Sequence, residues 1–561
     1  MLSLRKIEMT QERVFLAIVV FVAALLAYDK RFMQDDAYIS FVYARNFAEG
    51  HGLRWYPGSN EYGYTNFLFT IIVGILMKLG FGPEFASYML TFPASLIMLL
   101  LVYGIGKRIT SSPLPAWIAT GALSINHTFL SYATGGLETS FCICLIIAVY
   151  YQTVCWHQDG IRKRLRYIAV FSSLALLTRL DSSLLLFPAY VFLLVVMLKK
   201  EGIRPAIITM TWVSAIPTAS VLAMLGFGYA YYGYALPSTF DAKFGSWYVL
   251  QGFKYIHAFV KAQAYAPLIL FAIWFFLVSE KDFVPERWVY RSVFFSIICI
   301  WVLYVLHVGG DFMEFRFLLP VLPFFYLLIF DVLIDHGKRT GHVFLGSIIA
   351  IMMFGNYVQP YYFQARMMDR NLIESTGLLN RWMKGTHYNW PILGMKLKEY
   401  FYTGKPDDVK IAVTGAGAIP YFSELFAIDQ HGLNTRAVIN EGGKEYQKRP
   451  GHRVKSSNKL LKELGVNLII DHPIFIRKKK NGTYKCLATT ILITHESLIK
   501  IPAVFIHLKD NLYVLAHYMT QHPKIDELIA SGAIVRHADQ LKNTRCGKDF
   551  IIPAAELPKS S

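Results

Sequence analysis

The chain has 561 residues and a formal net charge of +18, with 54% hydrophobic and only 17% charged residues. Soluble domains carry about 25% charged residues, so the composition excludes an ordinary soluble protein and indicates a membrane protein. The basic residues lie mainly in short loops beside apolar runs, as membrane topology requires, so the positive charge gives no reason to expect a nucleic-acid partner.

The first apolar run, residues 14–29, follows three basic residues and resembles a signal sequence. No small-residue cleavage site precedes Asp35. We therefore expect an uncleaved first span with a cytoplasmic N-terminus.

Asp35 and Asp36 stand side by side at the outer end of this first span. Two adjacent carboxylates at a membrane boundary are costly to desolvate, which makes them candidates for function. The alternative is a solvated aspartate that caps a helix, and it accounts for one of the two. The apolar positions that follow predict an interfacial helix over 38–47, with Arg45 projecting toward the surface.

Twelve apolar runs are candidate membrane spans. They lie near 14–29, 65–79, 84–106, 114–132, 139–156, 167–180, 183–198, 206–230, 264–279, 291–307, 317–334 and 341–358. The basic loops, among them Lys107-Arg108 and 162–166, all fall on the cytoplasmic side only if 65–79 does not cross. That run is shorter than the ~20 residues of a full crossing. We therefore predict eleven crossings, with 65–79 re-entrant or interfacial.

This topology places the polar loops 135–139, 236–243 and 309–316 outside, together with the C-terminal region. Four of the six cysteines lie within predicted spans, where a free thiol is a small apolar group. The other two, Cys486 and Cys546, form one disulfide if the outer compartment is oxidising.

Residues 361–561 have a mixed composition that is typical of a soluble domain. A helix at 460–464 leads into a strand at 466–471, and strand patterns follow at 503–508 and 512–516, which predicts a small α/β domain. The Gly415-Ala416-Gly417 motif lacks the third glycine of a dinucleotide fingerprint, so we interpret it as a strand-to-helix turn.

Several motifs occur in the order that a known family shows. They are Asp35-Asp36-Ala37-Tyr38-Ile39, Tyr43-Ala44-Arg45-Asn46, Glu49-Gly50-His51-Gly52-Leu53, Tyr56-Pro57-Gly58, Gly63-Tyr64-Thr65-Asn66, Gly136-Leu137-Glu138-Thr139, Tyr231-Tyr232-Gly233, Leu236-Pro237-Ser238-Thr239, Gly309-Gly310-Asp311-Phe312-Met313, Gly415-Ala416-Gly417-Ala418-Ile419-Pro420-Tyr421 and Asp429-Gln430-His431-Gly432-Leu433. In these motifs the chain resembles the terminal arabinofuranosyltransferases of the glycosyltransferase C (GT-C) superfamily. It departs from the family at Arg179-Leu180-Asp181-Ser182, where Arg-Pro-Asp/Glu-Gly is usual, and at Ser238, where Asn is usual.

The resemblance implies a polytopic α-helical GT-C-like membrane domain of about eleven spans over residues 1–360, whose first outer loop, 31–83, holds interfacial or re-entrant helices. It also implies an extracytoplasmic soluble α/β domain over 361–561. The expected location is the bacterial inner membrane, with the active site and the C-terminal domain on the periplasmic face.

The implied activity is inverting transfer of a sugar, arabinofuranose or another pentose or hexose, from a polyprenyl-phosphate donor to a cell-envelope glycan or glycoconjugate. The alternative is a transporter or flippase of a lipid-linked sugar. Transporters usually show inverted repeats and charges at the bilayer midplane, whereas here the charges lie at the rim and no repeat is evident.

For such a transfer we assign Asp35 as the catalytic base, with Asp36 as the second candidate. The predicted ligands of the substrate and of the leaving phosphate are Arg45, His51, Glu138, Lys243, Asp311 and Arg316. Alternatively, Arg316 is an interfacial anchor or pairs with Asp311 or Glu314. A divalent cation, Mg²⁺ or Mn²⁺, held by Asp35, Asp36 and Asp311 stays open. We interpret Arg179 and Asp181 as a pair that closes a turn.

Overall fold

The structure is a computed structural model, and the chain divides into two compact units. It describes residues 2–110, 112–243, 247–263, 265, 269, 285–340, 346–347, 350–351, 353–358, 367–368, 373–385, 389–405, 408–441, 453–480, 484–487 and 501–536. Unit 1 comprises 1–33, 65–235 and 244–379, and unit 2 comprises 34–64, 236–243 and 380–561. The predicted domain boundary at residue 360 lies outside the described residues and stays a prediction.

Unit 1 is built from helices that follow the apolar runs of the sequence. They are α1 (Leu2–Asp29), α3 (Phe67–Lys78), α4 (Pro83–Ile109), α5 (Leu114–Ser124), α6 (His127–Tyr132), α7 (Thr139–Asp159), α8 (Lys163–Thr178), α9 (Ser182–Glu201), α10 (Ile203–Tyr232), α12 (Val249–Ala262), α13 (Pro285–Val308), a 3₁₀ helix (Arg316–Val321), α14 (Leu322–Thr340) and a π-helix (Phe354–Val358). Two short strands, β1 (Met367–Met368) and β2 (Ile373–Glu374), pair antiparallel.

Within the described ranges, seven helical segments are long and apolar enough to cross a membrane. They are 10–29, 83–109, 139–159, 182–201, 203–232, 287–308 and 316–334. This confirms a polytopic α-helical membrane protein.

Some of the other predicted spans are described but are interrupted or short, and others lie largely outside the described residues. The run 114–132 is interrupted between α5 and α6, and α8 has only 16 residues. The run 264–279 and most of 341–358 lie outside the described residues, so the count of eleven stays a prediction. Helix α3 has 12 residues, or about 18 Å of rise, which is short of a ~30 Å hydrocarbon core and agrees with a segment that does not cross alone.

Unit 2 contains a mixed sheet of the strands β3 (Ile411–Val413), β4 (Ala427–Asp429), β5 (Leu468–Lys478), β6 (Tyr484–Cys486), β7 (Ala503–Lys509), β8 (Leu512–Tyr518) and β9 (Ile534–Arg536). Its order is β4-β3-β5-β8-β7-β9, with β6 on β5; the β4, β3 and β5 strands run parallel and the other pairs antiparallel. The helices are α2 (Ala37–Ala48), α11 (Ser238–Lys243), α15 (Thr376–Lys384, shared with unit 1), α16 (Trp390–Phe401), α17 (Ala418–Ser423), α18 (Arg436–Asn440), α19 (Asn458–Glu463) and α20 (Pro523–Ala530).

This arrangement confirms the predicted α/β domain and its helix–strand unit, α19 followed by β5. The β3 strand reads Ile-Ala-Val and is buried throughout, as a strand covered on both faces requires. The glycine motif 415–417 connects β3 to α17, which confirms the strand-to-helix turn. Cys546 and the side chain of Cys486 lie outside the described part of the chain, so the disulfide stays a prediction.

Small residues allow two membrane helices of unit 1 to approach closely. A Cβ on Gly106 of α4 would lie 2.8 Å from the Cβ of Ala116 in α5 and 2.9 Å from Cδ2 of Leu327 in α14. A Cβ on Gly121 of α5 would meet no atom within 4 Å. Close backbone approach at small residues is a main source of packing energy between helices in lipid.

We predict opposite effects for the same substitution at these two glycines. Gly106→Ala overpacks the contact and should lower the free energy of unfolding by about 1–3 kcal/mol. Gly121→Ala should be neutral or stabilising by up to about 1 kcal/mol, because alanine favours the helix. Thermal unfolding of the purified protein in detergent measures both, and equal shifts would contradict the close contact.

Candidate functional site

The carboxylate of Asp35 is held by backbone amides within unit 2. It is 8% exposed, and its oxygens accept hydrogen bonds from Ala418 N–H at 2.7 Å and Gly417 N–H at 3.2 Å. A Cβ on Gly417 would overlap the carbonyl oxygen of Asp35, so only glycine permits this approach. Amide donors stabilise the ionised carboxylate and fix its orientation.

Asp36 is half-buried and precedes the first residue of α2. Its side chain makes no capping hydrogen bond to that helix. The helix-cap alternative therefore accounts for neither aspartate, because the carboxylate of Asp35 binds a turn almost 400 residues away in sequence.

Arg45 does not project toward the surface, so that part of the prediction is wrong. Its guanidinium donates to the carbonyl of Tyr421 at 2.7 Å, lies 4.7 Å from the ring centre of the same residue, and is 3.5 Å from Glu424. His51 is exposed in the turn after α2. Lys243 is the last residue of α11, and its side chain lies outside the described part of the chain.

Two buried titratable residues, Asp429 and His431, follow β4 in unit 2, and the sequence signalled them only through the motif at 429–433. The carboxylate of Asp429 accepts the backbone N–H groups of His431 and Asn434, both at 2.9 Å, and the imidazole Nδ1 of His431 lies 2.8 Å from the carbonyl oxygen of Val454. Burial raises the pKa of Asp429 and lowers the pKa of His431. The pair stabilises the loop whose Arg436 N–H donates to Glu61 at 2.8 Å.

In unit 1, Arg179 binds two carboxylates at once. Its Nε and Nη2 donate to the two oxygens of Asp181 at 2.9 and 2.6 Å, and its Nη1 donates to Glu138 at 2.6 Å. The second oxygen of Glu138 accepts from Asn66 at 2.9 Å. The predicted Arg179–Asp181 pair is confirmed, and Glu138 joins it.

Electrostatics keep this cluster ionised. Burial alone would raise the pKa of Glu138, but attraction to Arg179 and Arg316 outweighs burial and lowers it. Burial likewise opposes the charged form of Arg179, and the carboxylates of Asp181 and Glu138 stabilise it. Such compensation is what permits charges to persist at membrane helix ends.

Arg316 pairs with Asp311, which confirms the ion-pair alternative. Its Nε donates to Asp311 at 2.7 Å, and both side chains are buried. The loop between them is strained at the buried Phe315, whose φ is 48°. Gly309 and Gly310 precede this loop with φ values of 84° and 78°, which glycine adopts readily. Strain such as that at Phe315 collects where side chains must be held in fixed positions.

A second buried pair, Glu314 with His127, holds this loop in place, and no sequence pattern predicted it. Glu314 is fully buried, lies 3.8 Å from His127, and accepts the N–H of Thr376 at 2.6 Å. His127 Nε2 is 3.1 Å from the hydroxyl of Thr376. His127 falls inside an apolar run of the sequence, where it gave no functional signal.

A cavity in unit 1 brings the two arginines together. Its lining residues are Thr139, Cys142, Ile143, Ile146, Arg179, Asp181, Ser182, Leu185, Trp301, Arg316, Phe317 and Pro320. Thr139 and Ser182 are the first residues of α7 and α9, so two long helices direct their partially positive N-termini toward it. The cavity thus has an apolar wall and an end that presents two guanidinium groups, which we call the cationic end although the paired carboxylates balance its charge.

Two hydroxyl groups at this cationic end are buried without a hydrogen-bond partner among the described residues. They belong to Thr139 and Ser182, which are 6% and 1% exposed. A buried hydroxyl without a partner costs free energy. Both groups are therefore available to a ligand.

The described residues include no group of three or more His, Cys, Asp and Glu side chains that could hold a metal ion. The carboxylate of Asp35 is occupied by two amides and that of Asp311 by Arg316. A cation at these carboxylates would have to share their oxygens with these partners, and the predicted cation site stays a prediction.

Two parts of the chain match protein-family models. Residues 66–225 match the family of dolichyl-phosphate-mannose-protein mannosyltransferases. Residues 368–521 match a domain of unknown function, DUF8728. No curated protein matches the chain in sequence.

Two solved structures share its fold. The ArnT protein of Cupriavidus metallidurans, crystallised with undecaprenyl phosphate, aligns over 90% of this chain and 98% of its own with a TM-score of 0.53 at 11% identity. The archaeal oligosaccharyltransferase AglB of Archaeoglobus fulgidus, in complex with an inhibitory peptide and a dolichol-phosphate, aligns over 87% of this chain and 76% of its own with a TM-score of 0.52 at 12% identity. The chain therefore shares its fold with these two membrane proteins, and its residues 66–225 are similar to the mannosyltransferase family.

Proposed function

We propose that the protein transfers a sugar from a polyprenyl-phosphate donor to a hydroxyl group of a cell-envelope glycan or glycoconjugate, with its site on the periplasmic face of the bacterial inner membrane. The sugar is a pentose such as arabinofuranose, or a hexose. The observation that carries the proposal is the cavity of unit 1, whose cationic end and apolar wall match a lipid phosphate. Both structural neighbours are described with a ligand of this kind.

The arginines keep donors free for a phosphate although each is already paired. A guanidinium has five N–H donors. Arg179 uses three of them on Asp181 and Glu138, and Arg316 uses one on Asp311. The remaining N–H groups suit phosphate oxygens, which guanidinium groups bind in a directed way.

The reaction is a direct displacement at the anomeric carbon. The acceptor oxygen forms the new glycosidic bond as the bond between that carbon and the phosphate oxygen breaks. The electron pair of the broken bond leaves with the lipid phosphate, whose developing charge the arginine N–H groups stabilise. The acceptor's proton passes to a carboxylate, so atoms and charge balance without a step that uses a cation.

Asp35 is the proposed base, with Asp36 as the second candidate. Each of the two amides that hold Asp35 contacts one of its oxygens, and a carboxylate oxygen accepts more than one hydrogen bond. The amides also fix the orientation of Asp35, which favours proton transfer from a correctly placed group. Unit 2, which includes this aspartate, is the proposed acceptor-contacting part. Arg45, His51 and Lys243 stay predictions as substrate ligands, and we assign Glu138 and Asp311 to positioning the arginines.

We predict that Asp35→Asn strongly lowers the rate of transfer while the protein still folds. The amide oxygen still accepts a backbone N–H, but it takes up no proton, so the rate should fall by about 10²–10⁴. Asp36→Asn should have the smaller effect. The measurement is mass-spectrometric consumption of polyprenyl-phosphate sugars in proteoliposomes, screened first with the unaltered protein to name the sugar.

Gly417→Ala is the matched control because it disturbs the anchor of Asp35 and leaves the carboxylate in place. It should reduce the folded fraction and the rate together, whereas Asp35→Asn should reduce the rate per folded molecule. Full turnover by Asp35→Asn, or a loss no larger than its folding defect, would contradict the assignment. Lipid movement without any transfer would favour a flippase.

We predict that Arg316 is needed for transfer beyond its ion pair. Arg316→Gln leaves the buried Asp311 unpaired and should destabilise the protein by about 3–5 kcal/mol. The double variant Arg316→Gln/Asp311→Asn removes both charges and should regain much of that stability. Transfer should stay lower by about 10²–10³ in both, and recovery in the double variant would make Arg316 structural only.

We predict that the hydroxyls of Thr139 and Ser182 bind the donor at the expense of stability. Thr139→Val and Ser182→Ala each remove a buried hydroxyl without a partner and should raise the unfolding temperature of the free protein. Each should also raise the KM for the donor about 5–10-fold, for a lost hydrogen bond of ~1 kcal/mol. Raised stability with an unchanged KM would show that neither hydroxyl touches the donor.

A further inference from the structure

Helix α12 of unit 1 has an exposed apolar surface that none of the predicted spans included. Leu250 and Phe253 of the helix are 70% and 61% exposed, and Trp247, two residues before its start, is 75% exposed. Two further exposed positions of the helix, His257 and Lys261, are basic or titratable. A helix of 14 residues is too short to cross a bilayer. Apolar and basic residues on the outward side of a short helix are typical of helices that lie in a membrane interface.

Helix α12 packs against the end of a membrane span, and these contacts determine its depth relative to the membrane. Gly252 of α12 packs so closely on α13 that a Cβ would lie 2.6 Å from the Cα of Leu306. The ring of Trp247 lies 4.4 Å from that of His307, and Tyr248 N–H donates to the His307 carbonyl at 3.1 Å. These contacts fall in the last turn of the span 287–308. Since the last turn of a span lies near the membrane boundary, α12 lies there too.

The inward side of α12 holds the loop that bears Arg316. Tyr255 is 2% exposed, its hydroxyl donates to the carbonyl of Met313 at 3.3 Å, and the N–H of Phe317 donates to it at the same distance. A Cβ on Gly310 would lie 2.5 Å from Cγ of Tyr255. Tyr255 therefore connects α12 to the strained loop through two hydrogen bonds and close packing on Gly310.

We propose that α12 is an interfacial helix anchored in the headgroup–acyl boundary of the bilayer, and that it sets the depth of the loop carrying Asp311 and Arg316. The partner of its exposed surface is the lipid interface itself. Apolar side chains enter the acyl boundary while the basic residues stay with the headgroups. Tyr255 is the positioning residue that connects the helix to the loop. The role of the loop in transfer rests on the proposed function, but the membrane contact does not.

Nitroxide labels test the membrane contact directly. Cysteines introduced at 250 and 253 are labelled in proteoliposomes, with Phe295→Cys as the control within a span and Lys459→Cys as the control in water, since these native side chains are 60% and 85% exposed. Collision rates with oxygen and with a water-soluble nickel complex should place 250 and 253 about 5–10 Å into the headgroup–acyl boundary, shallower than 295. Nickel accessibility equal to that of 459 would overturn the proposal.

A second experiment tests the coupling to the loop. Leu250→Gln/Phe253→Gln should move a label at 257 toward water and lower kcat, although neither residue lines the cavity. Tyr255→Phe should lower kcat with little change in donor KM and leave the label depths unchanged. If the labels lie at the expected depths but the Leu250→Gln/Phe253→Gln variant transfers sugar at the normal rate, the coupling to the loop is refuted and the membrane contact is not. If the unaltered protein transfers no sugar at all, the proposed function fails while the depths still decide the membrane contact.

Discussion

The buried guanidinium of Arg179 is the constraint on which the polar part of unit 1 depends. A cation at the end of membrane helices is tolerable only when carboxylates surround it closely. Arg179 meets this requirement with Asp181 at the start of α9 and Glu138 at the start of α7. The same contacts fix the two helix N-termini beside each other, so the condition for burying the charge also builds the cationic end of the cavity.

In unit 2, backbone amides hold a buried carboxylate. Asp35 is also buried, and its carboxylate accepts hydrogen bonds from two amides of a glycine turn. These amides hold the carboxylate oxygens in a fixed direction.

The sequence predicted what is local. Apolar runs of sufficient length identified the spans, and the apolar stretches at 503–508 and 512–516 identified two strands, because these features depend on neighbouring residues. The ion pair of Arg179 with Asp181 was predictable for the same reason, since the residues are two apart. The amides that hold Asp35 and the pair of His127 with Glu314 were not, because they join distant segments and only the tertiary fold brings them together.

Helix α12 shows a further reason why sequence patterns do not predict parts of the structure. Its apolar residues are too few for a span, and the inward position of Tyr255 depends on contacts with the loop at 309–317. A search for long apolar runs therefore passes over it. The predicted exposure of Arg45 is wrong for the same reason. The pattern within one helix shows which side is polar, but it does not show that Tyr421, distant in sequence, covers that side.

Charge balance decides how the cavity must bind an anion. Two arginines and three carboxylates, Glu138, Asp181 and Asp311, leave the cluster with a formal charge of −1. Long-range attraction therefore cannot account for phosphate binding. The affinity must come instead from short-range groups in fixed directions: unused arginine N–H donors, the two helix N-termini and the hydroxyls of Thr139 and Ser182. Such groups lose little strength at high salt, because screening acts on separated charges and not on buried contacts. A near-neutral site is also cheaper to keep at a membrane boundary than a cationic one, which explains why each arginine is paired with acids although its ligand is an anion.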